Sequence, residues 1–515
     1  MIERVQRNWT GLAVSAAIIV LSSLARLPYV RQANLSPDAA DYINIARNLA
    51  RGRGLIHSIK WHFFTADRAV HSAVGERPLL YPLLIAPFCR SDYPARACER
   101  VNVFLAALAA ALGAVWAVRL GLTARATAIA TALVAFNAGL AMCSVYPLTE
   151  PLYLVWLFGI VLIVGRDNDS PRAARLAAVL TALAYLTRPS AAAIAVGLSL
   201  WYGRRRAFRA LSSYLLTLFV LLLPWWVIVA IARGSPFYSV QGFHLVVEDI
   251  RDGMAVGYGV AFPRPIEFLF AHAATVLTTI AGHTVAYIEQ LFGPTYLSIF
   301  SVFVFLRLFR RRDASASLDL AADGPAYAIA FFHFALTAAT WATFDNLRFM
   351  TPCFALLIVP AVAEMDALVG RLPKRRARVA AGTLVLGVAA FLYTDQWAQL
   401  YNQVRDGRER DLSMQVARIE FDRLIAPNAT VACHDPFSMN YYSDRPTVML
   451  PDAADPAERV QKIERFLDDY RPDCLAFVPA ELQAFGPLIR AGRLAPLGRL
   501  QAVDLEVVRV LPPPR

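Results

Sequence analysis

Long apolar runs alternate with short polar links along about the first 400 residues of the chain. The runs are roughly 16 to 22 residues long, which is the length that a helix needs to cross about 30 Å of hydrocarbon. The pattern predicts a polytopic α-helical membrane protein with about eleven transmembrane helices. The predicted spans lie near residues 9–27, 100–118, 126–145, 151–165, 173–187, 189–202, 211–232, an apolar region up to about 308, 325–343, 350–370 and 379–394.

The basic links indicate how the chain is oriented. Arginine clusters at 204–206 and 310–312 fall on one side of the predicted topology, which the positive-inside rule makes cytoplasmic. No small-residue cleavage site follows the first run, so it is interpreted as an uncleaved anchor. We expect a multi-pass protein of a bacterial-type inner membrane, with a cytoplasmic N-terminus and outer loops at about 29–97 and 233–270.

The last part of the chain, about 405–515, has a soluble composition. Short β-rich segments alternate there with helical ones, which predicts a small α/β domain on the outer, periplasmic side. Residues 1–400 would then form the membrane region. The predicted strands are 430–433, 447–450, 474–478 and 503–511, and the predicted helices are 460–470 and 481–490.

Composition excludes some classes of protein. The 51 Lys and Arg exceed the 39 Asp and Glu by 12, yet only 17% of residues are charged and 57% are hydrophobic. Ordinary soluble proteins have about 25% charged residues, so a soluble enzyme and a disordered chain are both excluded. Because many of the cations sit in links between apolar runs, membrane orientation explains them and no nucleic acid partner is expected.

Two acidic residues lie near the start of a helix predicted in the first outer loop. Asp38 and Asp41 are three residues apart, so they share a face and could point into one pocket. We expect this helix to lie along the outer membrane surface, and the alternative role of its acids is capping alone. Further on, Arg77 stands just before Pro78 at the start of an apolar helix, where it could hold a lipid phosphate or simply snorkel to water.

Five short motifs follow one another along the membrane region. In this order they resemble the GT-C membrane glycosyltransferases, more narrowly the family 39-like group of protein O-mannosyltransferases and the lipid A aminoarabinose transferase. The α/β tail is similar to the periplasmic domain of many members. The motifs are Asp38 with Tyr42 and Ala46-Arg47-Asn48-Leu49, Glu76-Arg77-Pro78-Leu79, Thr149-Glu150-Pro151, Leu186-Thr187-Arg188-Pro189 and Arg348-Phe349-Met350-Thr351-Pro352.

The resemblance implies that a sugar, hexose or pentose, is transferred with inversion from a polyprenyl-phosphate donor on the outer face of the membrane. The acceptor would be a lipid, a glycan or a protein. Asp38 matches the family's catalytic Asp, four residues before Tyr42, and would be the general base. The donor phosphate would bind three arginines, Arg77, Arg348 and Arg188.

The same resemblance implies supporting roles for other residues. Glu150 would orient the acceptor, or hold a divalent ion such as Mg²⁺ or Mn²⁺ together with Asp38. The pocket would be lined by Tyr42, Glu76 and Tyr81. The chain departs from the family pattern at Ala39, where a second acid is common, so Asp41 is an alternative base. Arg77 also stands where the family commonly has Lys.

The predicted outer segments also carry histidines and cysteines. The spacings of His57, His62 and His71 do not form a compact metal signature, so ordinary loop histidines are expected. Two cysteine pairs share outer segments, where an oxidising compartment permits disulfides. The candidate pairs are Cys89 with Cys98 and Cys433 with Cys474.

Two other classes of function remain open. A transporter or a lipid or polysaccharide flippase would carry ionisable residues at the middle of its spans, whereas the acids here cluster at the outer ends. A non-catalytic scaffold with an outer recognition domain would be insensitive to Asp38→Asn. No Gly-rich phosphate loop is present, which argues against a nucleotide-driven motor.

Overall fold

The computed structural model describes residues 9–30, 35–63, 71–164, 170–238, 258, 270–293, 296–309, 320–340, 347–451 and 455–512. Most of the second predicted outer loop and the basic cluster at 310–312 lie outside these residues. What the sequence predicts for those segments therefore stays a prediction.

Helices occupy every apolar run that the sequence predicts as a span. By length and composition, four of the described helices can cross a membrane, and five if a pair that meets at a 49° bend counts as one span. The total of about eleven spans thus stays a prediction. The helices are α1 (Trp9–Val30), α2 (Pro37–Ala50), α3 (Leu80–Ile85), α4 (Ala95–Arg119), α5 (Ala124–Ala135), α6 (Ala138–Val145), α7 (Glu150–Val164), α8 (Pro171–Thr187), α9 (Ala192–Arg204), α10 (Phe208–Arg233), α11 (Ala273–Phe292), α12 (Phe300–Phe309), α13 (Leu320–Thr340), α14 (Thr351–Gly370) and α15 (Arg375–Leu424).

A proline makes the break between α8 and α9. Pro189 disfavours helical backbone at the residue before it, and Arg188 accordingly has an extended backbone with φ −150° and ψ 133°. A 3₁₀ turn, Pro189–Ala191, then leads into α9. The break leaves Arg188 between two helices, where its side chain reaches the first residue of α7, Glu150.

Small residues let the helices approach closely, as is usual in membrane bundles. A Cβ atom at Gly197 in α9 would lie 3.0 Å from the backbone of Ile329 in α13. At Gly113 in α4, a Cβ atom would lie 3.3 Å from the ring of Phe158 in α7. The central helices α7 and α14 are buried along most of their length, which holds the residues at their ends in fixed positions.

Within the described residues, eight strands form two sheets. A small antiparallel ladder joins β1 to β3, and a six-stranded sheet has the order β2-β5-β4-β6-β8-β7. In the larger sheet β2, β5, β4 and β6 are parallel, and β8 and β7 are antiparallel to their neighbours. The strands are β1 (Ile56–His57), β2 (Ile59–Lys60), β3 (His71–Ser72), β4 (Val431–Cys433), β5 (Thr447–Met449), β6 (Cys474–Phe477), β7 (Leu494–Leu500) and β8 (Leu505–Val510).

The predicted strands and helices of the tail are present in the structure. Its helices are α16 (Pro436–Ser443), α17 (Pro456–Tyr470) and α18 (Leu482–Arg490). The sequence missed β7, because Pro496 and Gly498 are atypical of a strand interior and produce an irregularity there. It also missed that β2, from the first outer loop, extends the sheet by pairing with β5. The predicted boundary near 400–405 falls inside α15, one continuous helix of 50 residues.

Helix α2 lies between the helical bundle and the six-stranded sheet. Every residue from Ala39 to Asn48 is buried, so α2 is enclosed by protein, and its expected position along the outer membrane surface stays a prediction. Its polar side chains bind α16: Asn44 Nδ2 donates to Asn440 Oδ1 at 2.8 Å, and Arg47 Nη1 donates to the carbonyl of Tyr441 at 3.0 Å. These bonds fix the helix that carries the two candidate acids.

Candidate active site

The first turn of α2 is capped by a serine, which leaves its acids free for other contacts. Ser36 Oγ accepts a hydrogen bond from the backbone N–H of Ala39 at 3.2 Å. Asp38 Oδ1 accepts from Nη2 of Arg77 at 2.6 Å, and its Oδ2 forms an ion pair with Arg348. The alternative in which the acids only cap the helix is therefore wrong for Asp38.

Asp41 lies one helical turn further along and shares Arg77 with Asp38. Its Oδ2 accepts from Nε of Arg77 at 2.5 Å, and its Oδ1 contacts Nε2 of His57. Arg77 therefore binds two carboxylates through two different nitrogens. Two such bonds define the plane of a guanidinium as well as its position.

Glu150 and Arg188 complete the site from the side of the bundle. Glu150 Oε1 forms an ion pair with Nη1 of Arg188 and lies 3.8 Å from Nε of Arg348. The ring of Phe349 lies close to both arginines, with its centroid 5.0 Å from the Arg348 guanidinium carbon and 5.8 Å from that of Arg188. Six predicted site residues thus form one continuous charged row: Asp41, Arg77, Asp38, Arg348, Glu150 and Arg188.

The charged row alternates in sign, is formally neutral and is largely shielded from water. The side chain of Asp38 is 24% exposed, whereas the other five are at most 14% exposed. Burial by itself would raise the pKa of Asp38, but the charges of Arg77 and Arg348 outweigh it and hold that pKa well below its usual range. Asp38 is therefore the most accessible carboxylate of the row, and it stays ionised.

The pKa of Asp41 is lowered in a similar way. Burial would raise it, but the charges of His57 and Arg77 and their hydrogen bonds outweigh the burial. The side chain of Asp41 is fully buried. Its position behind Arg77 suits it to hold that arginine.

The two predicted pocket tyrosines occupy different positions. The Arg77 guanidinium carbon lies 5.3 Å from the ring centroid of Tyr42, so Tyr42 borders the charged row. Tyr81 packs edge-on against Tyr42, is fully buried and donates its hydroxyl to Asn102 Oδ1 at 3.0 Å. The structure thus places Tyr81 behind the pocket wall, and the prediction that it lines the pocket is wrong.

Glu76 lies outside the charged row. Its carboxylate accepts from Nε2 of His62 at 2.8 Å and from Nη2 of Arg233 at 2.9 Å, which ties the first outer loop to the end of α10. Burial would raise the pKa of Glu76, but the hydrogen bond and charge of His62, with the charges of His57 and Arg233, lower it to about 2. These contacts make Glu76 a structural anchor of the loop.

A divalent ion shared by Asp38 and Glu150 does not fit these residues. The guanidinium of Arg348 contacts both carboxylates, so a cationic group already lies where such an ion would have to sit. Among the described residues, no three His, Cys, Asp or Glu side chains converge as a metal site.

Three further residues contact the charged row, and the sequence did not predict them. His57 was expected to be an ordinary loop histidine, yet it binds Asp41. Trp61 lies with its ring centroid 6.0 Å from the Arg77 guanidinium carbon, and Phe349 lies beside Arg348. Phe349 belongs to one of the five motifs, but neither its residue type and spacing nor those of Trp61 indicate a contact with a site arginine.

All six cysteines are free thiols in the structure. Cys89 and Cys98 are buried with their Sγ atoms 3.6 Å apart. Cys433 and Cys474 lie on adjacent parallel strands, but Cys474 is level with Val431, so the two cysteines are offset by two residues. The strand register therefore separates the side chains of this candidate pair and argues against a Cys433–Cys474 disulfide.

The fold is similar to that of membrane glycosyltransferases. ArnT from Cupriavidus metallidurans bound to undecaprenyl phosphate superposes with a TM-score of 0.57 at 13% identity, over 96% of this chain and 97% of that one. The archaeal oligosaccharyltransferase AglB from Archaeoglobus fulgidus, in complex with an inhibitory peptide and a dolichol-phosphate, gives 0.52 and 12%, over 93% and 70%. No family model and no curated protein matches the sequence.

Identities this low establish the fold alone. Both neighbours are glycosyltransferases of the GT-C fold, and the described part of this chain is mostly helical with several apolar helices. This protein is therefore a polytopic membrane protein with the GT-C fold. The fold that its motifs suggested is confirmed.

Proposed function

We propose that this protein is an inverting glycosyltransferase that takes a sugar from a polyprenyl-phosphate donor. One observation carries the proposal: Asp38, the most exposed carboxylate of the charged row, is held between Arg77 and Arg348. A candidate base and two fixed cations for a leaving phosphate are therefore in direct contact. The undecaprenyl phosphate bound to ArnT, which has the same fold, supports a donor of this kind.

Donor binding would change the partners of Asp38. A phosphate makes strong paired hydrogen bonds with guanidinium groups, so it would take over the nitrogens of Arg77 and Arg348 that Asp38 holds. Loss of these bonds would return the pKa of Asp38 towards its ordinary value of about 4. The carboxylate would then be a stronger base at the moment when the donor is in place.

The chemical step follows from this arrangement. Asp38 removes the proton from the acceptor hydroxyl as the acceptor oxygen attacks the anomeric carbon. The bond between that carbon and the phosphate oxygen breaks, and its electron pair stays on the phosphate. Arg77 and Arg348 stabilise the charge that develops there, in a site shielded from water where such interactions are strong.

The remaining members of the charged row position these groups. Asp41 holds the Nε side of Arg77 and leaves the other nitrogens to the phosphate. Glu150 holds Arg188, which can contact the phosphate of the lipid carrier, while Glu150 itself can orient the acceptor. Asp41 is less suited to be the base than Asp38, since it is fully buried and held by His57 and Arg77.

We also infer that the site faces the outer side of a bacterial-type inner membrane. About eleven spans, with the N-terminus cytoplasmic, would put the first outer loop, the charged row and the α/β domain together on that side. This agrees with the basic links, which gather on the opposite side of the predicted topology. The acceptor would then be a lipid, a glycan or a protein that is present outside the cytoplasm.

One buried cluster of charged residues could be taken as support for the transporter alternative. Arg307, Asp323 and Glu364 form a buried ion cluster between α12, α13 and α14. All three lie near the ends of their helices that are remote from the charged row, rather than at the middle of a span. A pathway for an ion or a substrate would need ionisable groups in the middle, so the enzyme remains the better interpretation.

The test is sugar transfer in membranes that contain the wild type, Asp38→Asn, Asp41→Asn or Asp92→Asn. Radiolabelled polyprenyl-phosphate hexoses and pentoses are supplied, and the label is followed into lipid, glycan and protein fractions. Loss of a general base should lower the turnover of Asp38→Asn by about 10²- to 10⁴-fold. Asp92 is the matched control, since it is an exposed acid of the same loop that pairs with arginines outside the row.

Two results would contradict the proposal. Transfer by Asp38→Asn at the rate of the Asp92→Asn control would exclude Asp38 as the base, and a selective loss in Asp41→Asn would assign that role to Asp41. A wild type that transfers no sugar from any polyprenyl donor would contradict the glycosyltransferase itself. Equal amounts of inserted protein, measured in detergent extracts, are needed for each comparison.

A further inference from the structure

A groove of about 1010 Å³ opens between α9, α11, α12 and α13. On α13 its wall is formed by Gly324, Tyr327, Ala328 and Phe331, whose spacing of three and four residues places them on one face. Phe331 is 65% exposed. The body of the groove is thus apolar and open to the surroundings of the helical bundle.

The groove has its polar end far from the charged row. Arg204 and Arg205 line it where α9 ends, and Arg204 follows Arg188 of the charged row by 16 residues. At a rise of 1.5 Å per residue, this places them about 24 Å apart along the helix. That distance is most of the thickness of a bilayer core, so the polar end lies towards the opposite membrane surface.

Two aromatic side chains line the groove near this end. The Arg205 guanidinium carbon lies 5.6 Å from the ring centroid of Trp201. A Cβ atom at Gly324 would lie 2.1 Å from that ring, so only glycine allows α13 to pass so close to Trp201. The hydroxyl of Tyr327, which also lines the groove, is buried without a hydrogen-bond partner among the described residues.

We propose that this groove binds a phosphoglycerolipid with an anionic headgroup, taken from the leaflet opposite the charged row. Its phosphate would lie against Arg204 and Arg205 and accept a hydrogen bond from the hydroxyl of Tyr327. An acyl chain would lie along Phe331. Basic pockets between transmembrane helices recognise anionic headgroups in this way. The site is independent of the sugar transfer proposed above, because no residue of the charged row takes part.

The test compares lipid retention by the full-length protein in native mass spectrometry. Purified protein is mixed with phosphatidylglycerol or phosphatidylcholine, and bound copies are counted as the detergent is removed. Arg204→Gln/Arg205→Gln removes the cations of the groove, and Ala328→Trp fills the groove while keeping its charge. Arg209→Gln is the matched control, since Arg209 lies at the same end of the bundle on α10 but does not line the groove.

The wild type should retain phosphatidylglycerol in preference to phosphatidylcholine. Two arginines near an anionic headgroup contribute about 30-fold in affinity together, so the double variant should lose most of this preference. Ala328→Trp should lose the bound lipid too, and Arg209→Gln should keep it. An Ala328→Trp variant that still prefers phosphatidylglycerol would show that surface charge alone attracts the lipid, and this would overturn the proposal.

Two further outcomes would also overturn it. One is equal retention of both lipids by the wild type. The other is displacement of phosphatidylglycerol by undecaprenyl phosphate at equal concentration, which would assign the groove to the polyprenyl lipid. Each variant is first checked for a wild-type elution volume and melting temperature. If the double variant fails this check, Ala328→Trp decides the question alone.

Discussion

Arg348 forms an ion pair with Asp38, although the two residues are 310 positions apart in the chain. Arg348 belongs to a 3₁₀ turn before α14, and Asp38 belongs to the first turn of α2, in the first outer loop. The contact therefore joins the outer loop to the core of the helical bundle. Because Arg77 holds the other oxygen of the same carboxylate, two distant segments of the chain meet on one side chain.

Replacement of Arg77 by lysine should separate charge from geometry. A lysine keeps the positive charge, but a single ammonium cannot hold the oxygens of Asp38 and Asp41 through two nitrogens in a fixed plane. We expect kcat/KM for the donor to fall about 10²-fold, as when one donor of a transition-state charge is lost. Steady-state transfer measures this effect, and Arg90→Lys, an exposed arginine of the same loop, is the control. Wild-type kinetics in Arg77→Lys would show that charge alone suffices.

The sequence predicted which residues meet in the charged row, but it did not predict how they pair. The order of motifs in a GT-C-like chain was enough to select Asp38, Arg77, Glu150, Arg188 and Arg348. The pairing depends on side-chain directions at a helix start, at a proline break and in a 3₁₀ turn, none of which periodicity specifies. Apolar periodicity likewise predicted the helices but not their packing distances.

The position of α2 illustrates a second limit. A one-sided hydrophobic pattern is satisfied by a membrane or by a protein core, so the apolar stripe could not predict that protein encloses α2 on its polar side as well. Its polar side chains Asn44 and Arg47 bind α16, about 400 residues later in the chain. Long-range polar pairs of this kind, like the addition of β2 to the sheet, leave no local signal in one sequence.

His57 should act as a positioning residue for Arg77 through Asp41. His57→Leu would leave one oxygen of a fully buried carboxylate without its partner, which costs more than an ordinary hydrogen bond. We expect kcat to fall by about 10-fold and the KM for the donor to rise, because Arg77 would lose its fixed plane. His57→Gln, which can still donate to Asp41, should recover much of the activity. Equal losses in both variants would contradict a positioning role.

Stability should depend on pH through Glu76. Its pKa is lowered to about 2 in the folded protein, against an ordinary value of 4.5. A lowered carboxyl pKa stabilises the fold at pH values above the unfolded pKa, and this contribution is lost as the pH falls from about 4.5 towards 2. Glu76→Gln should therefore lower the melting temperature at pH 7 and have much less effect near pH 3. Thermal unfolding in detergent at both pH values measures the difference.

The control for that experiment is an exposed acid that pairs at the surface. Glu458→Gln removes the partner of Lys462 on α17, where the carboxylate is 53% exposed, so it should have little effect at either pH. A difference between wild type and Glu76→Gln that stays constant from pH 7 to pH 3 would show that the lowered pKa does not contribute. In that case the loss would come from packing alone.

Cys89 and Cys98 should form a disulfide in the mature protein if the first outer loop faces an oxidising compartment. Their sulfur atoms lie 3.6 Å apart and both side chains are buried, with Cys89 directly after a 3₁₀ turn and Cys98 at the start of α4. Protein is denatured with a first alkylating reagent, reduced, and labelled with a second one. The second label should appear on Cys89 and Cys98, whereas Cys433 and Cys474 should take only the first, because their strand register keeps them apart. First-label modification of all four cysteines would contradict the predicted disulfide, and it would also weaken the outer placement of the loop.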